Sequence, residues 1–204
     1  RLDSDLRSFY EGSLIGLFSP FAMMTGLLSV AMVVMHGAGF LSVKIERGAV
    51  LDRARRIGSV AAVASLVLFA AGGLWVANGV MGFRLEGVVD PNGPSNPLFV
   101  KTVAAPGAWM DNYGRHPWML IAPILGLAGP VIALLGIRRH SHVLNLAGSS
   151  LATVGIIATV GLSMFPFILP SSIDPQSSLT AWNASSSHLT LWIMLIVTLI
   201  FLPL

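Results

Sequence analysis

Five long apolar stretches constrain the fold of this chain more than any other feature of its sequence. They cover residues 14–43, 57–81, 118–137, 143–167 and 189–204, and none of them contains Asp, Glu, Lys or Arg. A helix needs about 20 mainly apolar residues to cross a bilayer, so four of the five are long enough. A charge at the centre of such a helix costs about 2.5–3.5 kcal/mol, which explains why the stretches are uncharged.

Composition leads to the same fold class. Charged residues make up 10% of the chain and hydrophobic residues 54%, whereas soluble domains average about 25% charged residues. We therefore predict an all-α, polytopic transmembrane helix bundle with four full spans and a truncated fifth. The chain begins at Arg1 and stops 16 residues into the last apolar run. We expect residues 1–204 to form a single helical membrane domain belonging to a longer polypeptide.

Positive charge is concentrated in two short gaps between the apolar stretches. Seven of the twelve Lys and Arg residues lie in 44–56 and 138–142. The positive-inside rule places both gaps in the cytoplasm, so we predict a multi-pass membrane protein whose first span runs from outside to inside. A pI near 10.0 could suggest nucleic acid. Because the cations flank apolar helices, we predict lipid headgroups as their partner and no nucleic acid.

The two longer connections, 82–117 and 168–188, then lie on the outer side. The first is rich in turn formers, with predicted turns at 90–93 and 94–97, and we expect little regular structure in it. Trp109, Tyr113 and Trp118 suit an aromatic belt at the outer interface. The second connection ends in three serines, residues 185–187, which are candidate N-caps for the fifth span.

Small residues recur at helical spacing in two spans. The stronger seam is in the fourth span and consists of Gly148, Ala152, Gly155, Thr159 and Ser163. The weaker seam is in the first span and consists of Ala22, Gly26, Ser29 and Gly37. Such faces let neighbouring helices approach closely. Packing within the bundle is our first interpretation, and contact with a second subunit is the alternative.

His36 is the one histidine well inside an apolar run. Ionisable groups in membranes are often functional, so His36 is a candidate haem ligand or proton-relay residue. The competing interpretation is a neutral imidazole hydrogen-bonded to a neighbouring helix, because no second histidine lies at comparable depth to complete a haem site. His140 and His142 form only a weak metal signal without a carboxylate or thiolate nearby. We predict no catalytic residues and no metal site in this chain.

One stretch brings a family into view. It contains a Met-Phe-Pro-Phe segment, then Pro-Ser-Ser, a Trp, and a serine cluster before Leu-Thr-Leu. The positions are Met164, Phe165, Pro166, Phe167, Pro170, Ser171, Ser172, Trp182, Asn183, Ser185 and Ser186. This pattern resembles subunit II of the bacterial cytochrome bd ubiquinol oxidases, and the likeness extends over the whole chain as the C-terminal half of that subunit. Asn183 stands where that family usually has an acidic residue. We therefore expect a hydrogen-bonding or capping role at this position rather than a role that needs a carboxylate.

The resemblance implies a partner and a reaction. In that family the haem-bearing subunit I oxidises quinol and passes electrons through b- and d-type haems to oxygen, forming water and supporting the proton gradient. Subunit II packs beside it and supports haem incorporation. The resemblance therefore implies no haem in this chain, and it implies a location in the bacterial cytoplasmic (inner) membrane. A quinone between its apolar helices is a further candidate ligand.

Two other functions stay open at the level of sequence. A secondary transporter or permease core would explain the spans, and Pro123 with Pro130 gives a mild form of the interrupted helices that transporters use. A membrane scaffold unrelated to respiration is the other alternative. Haem content and solute transport by the purified protein would separate these functions.

Overall fold

The computed structural model describes residues 13–46, 48–87 and 101–202. Its helices and strands follow one another along the chain as α1 (Pro20–Lys44), α2 (Ala49–Asn78), β1 (Met81–Glu86), β2 (Lys101–Pro106), α3 (Asp111–Arg115), α4 (Ile121–Arg138), α5 (His142–Met164), β3 (Phe167–Leu169), β4 (Leu179–Thr180) and α6 (His188–Phe201). Strand β1 pairs with β2, and β3 pairs with β4.

Four helical segments are long and apolar enough to cross a membrane. They are α1, α2, α5, and α4 together with the 3-10 turn before it, which gives the segment Pro117–Arg138. The fifth apolar run forms α6, which is shorter. The predicted polytopic helix bundle is confirmed, and its elements differ from the prediction mainly at their ends.

The first and fourth spans are shorter than their apolar runs. Helix α1 begins at Pro20 rather than at residue 14, because the Ser19 side chain accepts a hydrogen bond from the Ala22 backbone N–H and caps the helix there. A proline at the first helical position fits this cap, since its missing N–H would have no partner. Helix α5 ends at Met164 rather than at 167, because Pro166 has no N–H to continue the helix.

The second span is longer than its apolar run and begins at Ala49 instead of 57. Most of the basic gap is therefore helical, and Arg53, Arg55 and Arg56 lie on α2. No proline or glycine interrupts residues 49–57, so the helix continues past the point where the residues become polar. Arginines near a helix end can extend their long side chains toward the membrane surface.

The first outer connection has more regular structure than we expected. Strands β1 and β2 and the short helix α3 lie within it. A bridge between Lys101 Nζ and Glu86 Oε2, at 3.0 Å, joins the two strands. The prediction failed because pairing between distant segments stabilises these strands, and local turn chemistry does not reveal it. The turns predicted at 90–93 and 94–97 lie outside the described residues.

The long helices belong to one compact unit, which contains, among the described residues, 13–46, 48–82 and 106–164. Within it α1 packs against α2 and α5, and α4 packs against the same two helices. Small side chains fill the centre, where Ala62, Ala133 and Ala152 surround Met35. Small residues bring the helix axes close together, and such packing drives association in lipid.

The predicted seam of α5 is a packing surface within this unit. Gly148 and Gly155 are buried against α4. A Cβ atom at Gly148 would overlap the backbone of Ala133, and a Cβ atom at Gly155 would overlap the backbone of Gly126. Thr159 and Ser163 continue the seam with less burial.

The predicted seam of α1 is not covered by the part of the chain that the structure describes. Its four members are all exposed, and at about 100° per residue they lie opposite the face that carries Leu28, Ala31 and Met35. Packing inside the bundle and contact with a second subunit both stay predictions for this face of α1.

A second compact unit contains, among the described residues, 83–87, 101–105 and 165–202. Its main features are β3 and β4, the loop that joins them, and α6. The predicted cap of α6 is confirmed at Ser187, whose side chain accepts from the Thr190 N–H. All residues of α6 are exposed. The single domain of residues 1–204 stays a prediction.

Candidate functional site

The motif loop, residues 164–187, starts as α5 ends. Phe165 and Trp182 come from its two ends and meet edge to face, with ring centroids 5.8 Å apart. The Phe165–Pro166 peptide bond is cis, and the Pro166 carbonyl accepts a hydrogen bond from the Ala181 N–H at 2.8 Å. Strand β3 then pairs antiparallel with β4, with Phe167 opposite Thr180. The separated motif residues are thus brought together.

Serines close the middle of this loop through backbone contacts. The Ser171 N–H donates to the Ser178 hydroxyl oxygen at 3.0 Å, and the Asp174 N–H donates to the Ser171 hydroxyl oxygen. Asp174 in turn accepts from the Ser177 hydroxyl at 2.7 Å and from the Gln176 N–H. Short polar side chains that bond nearby backbone groups are typical of tight turns.

Asn183 is the centre of the loop and is only 2% exposed. Its Oδ1 accepts two hydrogen bonds from Thr180, one from the backbone N–H at 2.7 Å and one from the hydroxyl at 2.9 Å. Its Nδ2 donates to the Ser178 carbonyl at 3.5 Å. A carboxylate could accept the two Thr180 bonds but could not donate to Ser178.

The side-chain amide of Gln176 connects the loop to strand β2. Its Nε2 donates to the Thr102 carbonyl at 3.0 Å, while its Oε1 accepts from the Thr102 N–H at 3.4 Å. The amide thus satisfies both backbone groups, as a neighbouring strand would. Phe83 of β1 and Phe167 of β3 also pack together, with ring centroids 6.3 Å apart.

The remaining motif residues lie toward the surface of the loop. Ser172 and Ser186 are exposed, and Pro170 and Ser185 are half-buried. The motif therefore builds a folded loop around Trp182 and Asn183 and leaves its outer serines at the surface.

The helical unit contains a second set of polar residues, the polar ladder, defined as His36 and Ser42 of α1 with Asn145 and Ser149 of α5. His36 Nδ1 lies 3.2 Å from Ser149 Oγ, and Asn145 Nδ2 donates to Ser42 Oγ at 3.3 Å. The two helices approach closely here, since a Cβ at Gly39 would lie 2.7 Å from Ser149 Oγ.

The ladder determines which nitrogen of His36 carries a proton. The Ser149 hydroxyl donates to the Leu146 carbonyl at 2.9 Å, so its oxygen accepts from His36 and Nδ1 is the protonated nitrogen. In the neutral ring Nε2 is then an acceptor. This contact matches the expected hydrogen bond between His36 and a neighbouring helix, while the neutral state of the ring and the haem-ligand interpretation stay predictions. The described residues contain no group of three or more His, Cys, Asp or Glu that could hold a metal ion.

Helix α3 covers the end of α5 with two side chains. Asn112 Nδ2 donates to the Leu162 carbonyl at 2.8 Å, and the Tyr113 hydroxyl donates to the Thr159 carbonyl at 3.2 Å. Both satisfy carbonyls in the last turns of the helix. Burial raises the pKa of the Tyr113 phenol above its ordinary value of 10.0, and a hydrogen bond with Ser163 opposes that rise.

Trp109 differs from the aromatic belt we expected. It is 7% exposed, and its Nε1 donates to the Met81 carbonyl at 3.1 Å. A buried indole needs a partner for its N–H, and this backbone carbonyl provides one. Trp118 is exposed, as a belt residue would be, and Tyr113 is half-buried.

Sequence reasoning missed three members of the polar ladder: Ser42, Asn145 and Ser149. A signal for them exists, because Asn145 and Ser149 are four residues apart and therefore share one face of an apolar helix. Their partners on α1 are more than 100 residues away in sequence, so the pairing itself had no local signal.

Comparison with known proteins places this chain beside respiratory oxidase subunits. A family model described as cytochrome bd terminal oxidase subunit II matches residues 2–204. The cytochrome bd-I ubiquinol oxidase subunit 2 of Escherichia coli (strain K12) is 37% identical over 202 residues, covering 99% of this chain and 53% of that protein. The probable cytochrome oxidase subunit 2 of Haemophilus influenzae is 33% identical over 192 residues, covering 94% and 50%. The chain thus spans about half the length of these curated relatives.

Proposed function

Because this chain belongs to the cytochrome bd terminal oxidase subunit II family, we propose that it is part of a structural and assembly subunit, without haem of its own, in a bacterial bd-type quinol oxidase. The complex would oxidise quinol, reduce oxygen to water and support the proton gradient. The b- and d-type haems would belong to subunit I, the proposed partner of this chain.

The observation that carries the structural role is the way in which the motif loop uses its polar groups. The Asn183 side-chain amide accepts hydrogen bonds from Thr180 and donates one to the Ser178 carbonyl. The Ser178 hydroxyl oxygen accepts a hydrogen bond from the loop backbone. These polar groups hold the backbone of the loop in place, so in the proposed role they do not bind or activate a substrate. The motif then acts by giving this surface a defined shape.

The exposed surfaces of the helices support a partner within the membrane. The small-residue face of α1 and the whole of α6 are exposed among the described residues. In lipid, small residues favour close contact with another helix, and subunit I is the partner we propose for them. Apolar walls also suit a quinone tail, which stays a candidate ligand. We further propose that the basic ends of the helices face the cytoplasm and that the bilayer is the bacterial cytoplasmic membrane.

The proposal is tested by replacing one motif residue in the full-length subunit. Trp182→Ala removes the ring that packs on Phe165, and Ser172→Ala, at an exposed position of the same loop, is the matched control. After purification from membranes, haem absorbance per complex and quinol-dependent oxygen uptake per haem are measured.

We expect Trp182→Ala to lower the haem content and the recovery of subunit I, with oxygen uptake per remaining haem unchanged. A normal haem content with a lower turnover per haem would contradict the structural role. A haem-free wild-type preparation that moves a solute into vesicles would support the transporter alternative instead.

A further inference from the structure

Asn145 has a buried oxygen whose hydrogen bonding the chain leaves incomplete. The residue is 2% exposed, and its Nδ2 is used by Ser42. Its Oδ1 has no hydrogen-bond partner among the described residues. Burying a carbonyl oxygen without a donor costs about 1–3 kcal/mol.

The two serine hydroxyls of the polar ladder already donate their hydrogens to backbone carbonyls. The Ser42 hydroxyl donates to the Gly39 carbonyl at 2.7 Å, and the Ser149 hydroxyl donates to the Leu146 carbonyl. A serine hydroxyl carries a single hydrogen, so neither can also donate to Asn145. A donor for Asn145 Oδ1 must therefore be a group other than the hydroxyls of Ser42 and Ser149.

His36 presents a second acceptor one helical turn further from the basic end. Its Nδ1–H donates to the Ser149 hydroxyl oxygen, and in a neutral ring Nε2 then keeps a lone pair that can accept a hydrogen bond. Ser149 lies four residues after Asn145 on α5, so the two acceptors belong to adjacent levels of the same ladder. Of the two, Asn145 Oδ1 is the one that is buried without a donor among the described residues.

We propose that a water molecule is bound inside the bundle at Asn145 and donates a hydrogen to Oδ1. Water is a small neutral donor that commonly satisfies buried polar groups of this kind. An inorganic anion without protons supplies no donor. A metal cation such as Ca²⁺ would require about six to eight oxygen ligands, and the ladder has one uncommitted carbonyl oxygen.

The position of Asn145 gives water a short route from one end of the bundle. Asn145 lies three residues after the start of α5, and Ser42 lies two residues before the end of α1. At 1.5 Å of rise per residue, the site is about 3–5 Å along the helix axes from the basic end. A water in this place could exchange with solvent without crossing the apolar core, which begins near Met35.

The first test is a map of the intact oxidase, with the full-length subunit, at a resolution that shows ordered water. We expect density about 2.7–3.2 Å from Asn145 Oδ1. A well-resolved Asn145 without such density would overturn the proposal, and so would a donor side chain of another subunit in that place.

The second test uses magnetisation transfer from water to 15N-labelled asparagine side chains in proteoliposomes. The Asn145 side-chain amide should show transfer well above that of a dry interior site, and the Asn145→Leu variant identifies the signal by its loss. Ser150→Ala, which removes only a bond to the carbonyl of its own helix, should leave the signal unchanged. An Asn145 amide signal with no transfer from water would contradict the site.

Discussion

Asn183 Oδ1 accepts both the backbone N–H and the hydroxyl of Thr180, at 2.7 and 2.9 Å, and all three groups are buried. One amide oxygen thereby holds the corner that follows β4, where the family pattern suggested an acid. The role at this position is to accept hydrogen bonds, and an amide performs it without burying a charge.

The Asn183 corner predicts different effects for two substitutions. Asn183→Ala leaves two buried Thr180 donors without an acceptor, so we expect it to lower the free energy of unfolding by about 1–3 kcal/mol. Asn183→Asp keeps an acceptor for both, so we expect a smaller loss. Thermal unfolding of the purified complex, followed by haem absorbance, measures both effects. Equal losses for the two variants would mean that the Thr180 bonds do not stabilise the loop.

Two buried serines of the bundle are predicted to respond oppositely to alanine. Ser149 and Ser65 are both 0% exposed, but Ser149 Oγ accepts from His36 whereas Ser65 Oγ has no partner among the described residues. Ser149→Ala should cost about 0.5–2 kcal/mol because it leaves the Nδ1–H unpaired. Ser65→Ala should be neutral or stabilising, since it removes an unsatisfied hydroxyl. The difference in melting temperature between these variants is the measurement, and a loss for Ser65→Ala as large as that for Ser149→Ala would contradict the assignment.

The contact between α4 and α5 predicts the effect of a single methyl group. A Cβ at Gly148 would overlap the Ala133 backbone, whereas a Cβ at Gly161 on the same helix would meet nothing within 4 Å. Gly161→Ala should gain up to about 1 kcal/mol from helix propensity. Gly148→Ala should lose stability and recovery of the folded subunit, because backbone atoms cannot move aside. Yield and melting temperature in detergent compare the two, and a harmless Gly148→Ala would show that the helices are further apart.

Tyr113 predicts a loss of stability at alkaline pH. Its pKa is raised in the folded state chiefly by burial, so folding favours the neutral phenol. Its contribution is complete below the ordinary pKa near 10 and is lost as the pH rises through the higher folded-state pKa. Tyr113→Phe should be less stable at pH 8, because the bond to the Thr159 carbonyl is gone, and should lose less stability between pH 9 and 11. Melting curves across that interval test this. A steeper loss in the Phe variant would reverse the sign we derive.

Much of the helical architecture could be predicted from local sequence. The uncharged runs located all four long helices, and Ser187 was among the expected caps, because transfer into lipid and hydrogen bonding at a helix end depend on nearby residues. Likewise, the glycines of α5 indicated a packing face. The ends of the spans were less predictable, since α2 continues through polar residues that still favour a helix.

Sequence alone therefore determined that this chain forms apolar helices that can cross a membrane, and that its motif loop belongs to a known family. Only the tertiary structure decided which side of α1 is buried, that β1 pairs with β2, and that Asn145 meets Ser42. The physical reason is distance along the chain. Helix formation and partition into lipid are summed over neighbouring residues, whereas a buried amide and its partner are joined only after distant helices have packed together.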